Sequence, residues 1–187
     1  MTGRPGDLML RDTHQPVTPD GFLHLLMQTP SLRAQIADMR ELPARSAEYR
    51  DVEIDPRLRT ALAGQKITRF YSHQAEAIAH TRAGLHQVVV TGTASGKTLC
   101  YTVPMLERLL ADPASTALCI YPTKALTQDQ FRNLSSLTAQ VPGLQCLSGP
   151  YDGDTPQAQR RKLRDAGSVV LTNPDMAHLA LLPSHET

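Results

Sequence analysis

The feature that most restricts the fold is the stretch VVVTGTASGKTLCY, residues 88–101. Val88, Val89 and Val90 form a short continuous apolar run, the pattern of a strand buried on both faces, so a strand from Gln87 to Thr91 is expected. Thr91, Gly92, Thr93, Ala94 and Ser95 are all small, and a backbone of small residues can curl its N–H groups inward. Gly96 supplies the permissive φ/ψ of a tight turn. Leu99, Tyr101, Val103, Leu106 and Leu110 then recur at roughly helical spacing. A strand, a small-residue loop and a helix in succession place free N–H groups at a helix N-terminus, where the macrodipole favours negative charge. Lys97 has the reach for β- and γ-phosphates, and the Thr98 hydroxyl suits Mg²⁺. The consensus for such a loop wants glycine five positions before Gly96, where this chain has Thr91. The competing reading is a chance Gly-Lys-Thr, and the strand–loop–helix context outweighs it.

The surrounding pattern gives the fold class. From Ile67 onward, apolar strands alternate with helices. Strands are expected at Gln87–Thr91, Ala117–Tyr121, Leu144–Leu147 and Ser168–Thr172. Ser72 is expected to cap a helix that runs to about Arg82 and ends at Gly84. Alternation at this spacing predicts an α/β domain, a parallel sheet with helices on both faces. The domain is expected to span residues 65–187. Residues 1–64 read as an extension that carries no legible chemistry. Its first 16 residues are polar and are expected to be disordered. A short helix follows near Asp20–Gln28. A second starts at Thr29-Pro30 and buries Leu32, Ile36 and Met39, and Pro43–Asp55 connects it to a third. The third is opened by Asp55-Pro56, with Leu58 and Leu62 on its face and Gly64 at its end.

Three later junctions repeat one design. Pro122, Thr123 and Lys124 follow a strand and precede the helix 125–138. Gly153, Asp154 and Thr155 precede the helix 157–165, with Thr155 read as its cap and Pro156 as its first residue. Thr172, Asn173 and Pro174 follow a strand and precede the helix 175–182, with Asn173 as the cap. Each junction joins helix N–H groups to a hydroxyl, amide or ammonium, and such junctions lie at the carboxyl edge of an open sheet, where ligands bind. Ordinary capping explains any one of them. Three in a row beside a phosphate loop favour a track for a polynucleotide backbone. Asp152 and Asp154 read as turn residues rather than metal ligands, and Arg160, Arg161, Lys162 and Arg164 as a solvated helix face.

Bulk properties narrow the class. The chain is 41% hydrophobic and 20% charged, in the globular range. No apolar run is long enough to span a bilayer, and a cytoplasmic protein without a membrane partner is expected. The formal net charge of +1 is not that of a strongly basic nucleic-acid binder, but leaves room for backbone amides and a few cations. Cys100, Cys119 and Cys146 have no zinc spacing and read as buried thiols in a reducing compartment. His73 and His80 lie seven apart, too far on one helix to share a metal unaided.

Taken in order, these segments resemble the first RecA-like domain of superfamily 2 DEAD/DEAH-box helicases, and within them the MrfA (YprA-like) branch of DNA-repair helicases. RFYSHQAEAI is similar to the Q motif, TGTASGKT to motif I and YPTKALTQDQ to motif Ia. YDGDTP and LTNPDMAH are similar to the two nucleic-acid-contacting motifs that follow. The resemblance runs from about Ile67 to Pro183. It implies ATP and Mg²⁺ at Thr91–Thr98, with Thr98 on the metal, and single-stranded DNA at 122–124, 153–155 and 172–174. It also implies that Gln74 presents its amide to the Hoogsteen edge of adenine while Tyr71 stacks on the base.

In such helicases an Asp-Glu-x-His motif II completes the Mg²⁺ site and positions the attacking water, and a second RecA-like domain supplies an arginine finger. Neither is found within residues 1–187, nor is a cysteine-rich zinc segment, so the chain is expected to be the N-terminal portion of such a protein, inactive in isolation. Two other functions stay open on the sequence. One is a non-catalytic nucleotide- or nucleic-acid-binding module. The other is a P-loop kinase of small metabolites, which would need a lid of clustered arginines soon after the loop.

Overall fold

The computed structural model of the 187-residue chain describes residues 18–41, 43 and 46–184. The expected disordered tail at residues 1–16 lies outside the described residues. The chain divides into two compact units, one ending at Arg45 and one beginning at Ser46.

The first unit holds α1 (Pro19–Gln28) and α2 (Pro30–Arg33). The Thr18 hydroxyl caps α1 by accepting from Gly21 N at 3.1 Å. The expected second helix is much shorter than its apolar spacing suggests. It stops at Arg33, and Leu32 and Met39 are exposed while Ile36 is half-buried. One turn of helix presents too little apolar surface to organise a core, so the periodicity in this segment has nothing to act on.

The second unit begins with β1 (Tyr49–Arg50), inside the stretch read as a connector. It pairs antiparallel with β2 (Phe70–Tyr71). Between them lies α3 (Pro56–Gly64), capped by Asp55, whose carboxylate accepts from Arg57 N at 2.9 Å. Leu58 and Leu62 of α3 are fully buried, as their spacing predicts. Helix α4 (Ser72–Arg82) follows β2 directly. Its N-cap position is Tyr71, not the expected Ser72, because the Gln74 side chain closes the first turn onto Tyr71 N. The chain leaves α4 through Gly84, at φ 72°.

Helix α5 (Thr98–Ala111) starts at the end of the small-residue loop and contributes Val103, Leu106 and Leu109 to the core. Then come β3 (Ala117–Ile120), α6 (Lys124–Thr138), β4 (Ser148–Pro150), α7 (Gln157–Ala166) and β5 (Val169–Thr172). The last part is α8 (Pro174–Met176), a π-helical turn at Ala177–Leu181 and a 3₁₀ turn at Leu182–Ser184. The strands form a parallel sheet in the order β3-β5-β4. Val169 and Leu171 point into the core with α5 and α6 residues such as Leu106, Leu134 and Leu137. The alternate residues Leu118 and Val170 line a shallow cavity with Leu163 of α7 on the other face. The α/β class and the parallel sheet are therefore as expected.

Two strands are not where the sequence puts them. Residues 87–91 form no strand, and Val88 and Val90 are 89% and 87% exposed. An extended segment becomes a strand only when its N–H and C=O groups find a ladder, and among the described residues none pairs with this one. The strand expected at Leu144–Leu147 starts at Ser148 instead. Gly143 turns the chain off the end of α6 at φ 77°, so Leu144–Cys146 approach the sheet before entering register. Pro150 is tolerated in β4 because β4 is an edge.

Candidate nucleotide and nucleic-acid site

The loop before α5 has the backbone its composition demands. Gly96 sits at φ 72° and Ala94 at φ 57°, both left-handed. Lys97 folds over the loop. Its Nζ donates to the carbonyl oxygens of Gly92 at 2.6 Å and Thr91 at 3.0 Å, with Thr91 Oγ1 and Ser95 Oγ each at 3.4 Å. Thr91 and Ser95 share a further hydrogen bond at 2.6 Å between their hydroxyls. The position where the consensus wants glycine is thus occupied by a side chain that closes the loop. Thr98, the first residue of α5, donates from Oγ1 to Gln130 Oε1 of α6 at 3.5 Å. A hydroxyl beside a side-chain carbonyl is a donor set that suits a hard cation in part. Gly92 and Thr93 are exposed at the loop's crest.

Helix α4 braces this loop from behind. Gln74 is 2% exposed, and both ends of its amide are used. Its Oε1 accepts from Tyr71 N at 2.9 Å and its Nε2 donates to Gly96 O at 2.9 Å. His73 Nε2 is 3.0 Å from Ser95 O. Tyr71 stacks on His73 on one side and on Tyr49 of β1 on the other, with centroids 5.7 and 5.1 Å apart. The Arg69 guanidinium lies 3.9 Å over the Tyr49 ring. Beside these groups opens a cleft of about 490 Å³, lined by Tyr49, Tyr71, Gln74, Gly96, Thr98 and Gln130 among others. That volume is in the range of small-ligand sites.

Tyr49, Arg69, His73 and Gln130 also belong to this site; the last three lie within RFYSHQAEAI and YPTKALTQDQ, where the sequence assigns them no individual role. Tyr49 arrives through the β1–β2 pairing, for which the sequence carries no turn signal. His73 did carry a signal, since it stands next to Gln74 at the start of the helix behind the loop.

The three later junctions meet at the carboxyl ends of β3, β4 and β5. Tyr121 N donates to Thr172 O at 2.8 Å, and Tyr151 N to Leu171 O at 2.7 Å. Thr123 caps α6, accepting from Leu126 N at 3.2 Å, and Pro122 and Thr123 are exposed. Lys124 Nζ donates to Asp154 Oδ2 at 2.9 Å, which raises the lysine's pKa, and Gly153 lies beside the same ammonium. Asn173 caps α8 as expected, accepting from Met176 N at 3.0 Å. Thr172 is fully buried and donates to Tyr151 O at 2.7 Å, while Pro174 is exposed.

Thr155 is not the cap of α7. Pro156 occupies that position, and the Thr155 hydroxyl turns inward to Pro150 O and Asp152 Oδ1, both at 3.0 Å. A threonine held by a buried aspartate in its own turn cannot also cap the next helix. Burial of Asp152 raises its pKa, but hydrogen bonds from Thr155, Asp154 N and Gln128 outweigh it and leave the group below the usual carboxylate range. Arg160 is not a bare solvated residue either. It braces the turn through Thr155 O and Gly153 O, each at 2.8 Å.

Cys100 is buried, and Cys119 and Cys146 are half-buried; all three are free thiols, and burial raises their pKa values. Among the described residues, no group of three or more His, Cys, Asp and Glu is placed to hold a metal, and no helix is long and apolar enough to cross a membrane.

The DEAD/DEAH box helicase family matches residues 71–186, which begin at the cleft beside Tyr71 and include the loop before α5 and all three junctions. The chain belongs to the DEAD/DEAH box helicase family. This membership sets aside the small-metabolite kinase. The helicase chain is 41% identical over 170 residues to the uncharacterized ATP-dependent helicase YprA of Bacillus subtilis, covering 85% of this chain and 23% of that protein. It is 38% identical over 167 residues to the ATP-dependent helicase HRQ1 of Saccharomyces cerevisiae, covering 88% and 15%. Its fold is similar to that of the DUF1998 helicase MrfA bound to DNA and AMPPNP, with a TM-score of 0.72 and 44% identity over 76% of this chain and 20% of that one. The helicase chain therefore spans less than a quarter of each of these relatives, and its sheet and helices match part of a RecA-like helicase domain.

Proposed function

We propose that residues 71–184 form the ATP-binding and part of the DNA-binding surface of a helicase that moves along single-stranded DNA. Lys97 and the loop amides would hold the β- and γ-phosphates, Thr98 would ligate Mg²⁺, and Tyr71 and Gln74 would meet the adenine side. Gln74 spends one lone pair on Tyr71 N and one amide proton on Gly96 O, so the second of each would meet the adenine edge and the side chain would join base and loop. Pro122, Thr123, Lys124, Gly153, Asp154, Thr155, Thr172, Asn173 and Pro174 would form the backbone track. Exposed groups at 122–124 and 153–154 would touch DNA, and Thr155, Thr172 and Asn173 would hold the track in shape.

The observation that carries this reading is the common location of the three junctions at one sheet edge, with the phosphate loop joined to that edge through Tyr101 and Tyr121, whose hydroxyls are 3.1 Å apart. DNA in the structures of MrfA and of Mycobacterium smegmatis Lhr also supports it. A DNA-repair role and a cytoplasmic, reducing location are part of the same proposal, the latter supported by the three free thiols.

Residues 1–187 contain no Asp-Glu-x-His stretch, so on this reading they bind nucleotide without turning it over. The test is titration calorimetry with ATP and fluorescence anisotropy with labelled single-stranded DNA. Lys97→Ala should weaken ATP binding at least about tenfold, by removal of a charge-assisted contact. Equal ATP binding by the two proteins overturns the nucleotide assignment. DNA-stimulated hydrolysis that disappears in Lys97→Ala overturns the binding-only reading of these residues.

A further inference from the structure

We propose that His73 is a positioning residue of the phosphate loop: it holds the Ser95 carbonyl so that the Gly96 N–H faces the phosphates. The inference rests on the nucleotide site proposed above. A carbonyl can only accept, so the 3.0 Å contact requires a proton on His73 Nε2. The next carbonyl, Gly96 O, is held from the same helix by Gln74 Nε2 and also accepts from Leu99 N at 3.1 Å. No peptide bond here is cis. In a planar trans peptide the C=O and N–H point in opposite directions. Fixing Ser95 O and Gly96 O toward α4 and α5 therefore aims the N–H groups of Gly96 and Lys97 the other way.

The loop needs such a clamp because glycine does not supply one. Gly96 tolerates φ of either sign, so the 95–96 peptide is free to flip unless something holds its oxygen. A flipped peptide would present a carbonyl to the phosphates in place of an amide. The imidazole is itself held in place. It lies at 11° to the Tyr71 ring, Tyr71 lies at 23° to Tyr49, and Arg69 covers Tyr49 from outside. This row of four planar groups ends at the loop, so the ring cannot swing away without unstacking.

The experiment is calorimetric titration of residues 1–187 and of His73→Ala and His73→Gln with ATP and with AMP, which lacks the β- and γ-phosphates. His73→Ala should weaken ATP binding about three- to tenfold, the loss of one hydrogen bond's worth of preorganisation. AMP binding should change less than about twofold. His73→Gln, which returns an N–H donor, should recover most of the ATP affinity. Unchanged ATP binding in His73→Ala overturns the inference, and so does an equal loss for ATP and AMP, the result expected if the ring served only the stack or the fold. Lys97→Ala separates the two readings. If it binds ATP as the unaltered chain does, the nucleotide site itself fails. If it loses ATP while His73→Ala does not, only the clamp fails.

Discussion

Lys124 and Asp154 stand thirty residues apart in the chain, and their ammonium and carboxylate are 2.9 Å apart. The pair joins the junction after β3 to the one after β4; the Asp154 side chain is largely exposed and that of Lys124 half so. On the proposed track, Asp154 competes with DNA phosphate for Lys124. Asp154→Asn should therefore tighten single-stranded DNA binding a few-fold, while Lys124→Ala weakens it and lowers the salt slope by about 0.7, one phosphate contact's share. Anisotropy titrations across a range of salt concentrations check both. Weaker binding by Asp154→Asn would mean that the carboxylate shapes the turn rather than masking the cation.

Gly96→Ala should damage the loop twice. A side chain at φ 72° costs about 1–2 kcal/mol, and its Cβ would lie 2.5 Å from Gln74 Nε2, where the brace on the loop sits. Lower urea stability together with weaker ATP binding is expected. Ala94→Gly should behave in the opposite way. Ala94 already bears the left-handed strain without glycine's freedom, so relief of that strain offsets the greater entropy of the unfolded chain. A urea midpoint at or above that of the unaltered chain is the expected result.

Asp152 sets an acid limit for the turn between β4 and α7. Its folded-state pKa is lowered, so its contribution is fully present above the unfolded value of about 3.9. It is lost as pH falls through the folded value. Asp152→Asn should be less stable than the unaltered chain at pH 7, and the difference should shrink below about pH 4. Denaturation at a series of pH values measures this. A constant gap down to the lowest pH would show that the aspartate acts by shape alone.

β3 has β5 on one side and, among the described residues, no strand on the other. Leu118 and Ile120 are each 51% exposed on it. An apolar strand with an open edge is a template for self-association. Ile120→Lys should raise the concentration at which residues 1–187 begin to associate, read by light scattering, with little change in ATP binding.

What could be read from the sequence was what is local. The caps at Asp55 and Asn173, the buried face of α3 and the left-handed glycine of the loop depend on neighbours within a few residues, and each stands where the pattern puts it. Val88–Val90 failed because an apolar run reports a wish for partners, not their presence. Thr155 failed because a buried aspartate three residues earlier claimed its hydroxyl. Tyr49 is invisible, since it enters the cleft from an element far away in the chain, and Gln130 stands at the end of YPTKALTQDQ with nothing local to aim it at Thr98. His73 stands seven residues from His80, but its neighbour Gln74 is the better guide to what it does.

The hydroxyl contact between Tyr101 and Tyr121 has a mechanical consequence. Tyr101 lies three residues past Thr98 on the same helix, and Tyr121 immediately precedes Pro122. The path from the loop to the sheet edge is thus one helical turn and one 3.1 Å hydrogen bond. Hydrogen bonds weaken steeply with misalignment, so a small slide of α5 along its axis would be felt at the edge at once. Transmission over such a path requires no strand to move.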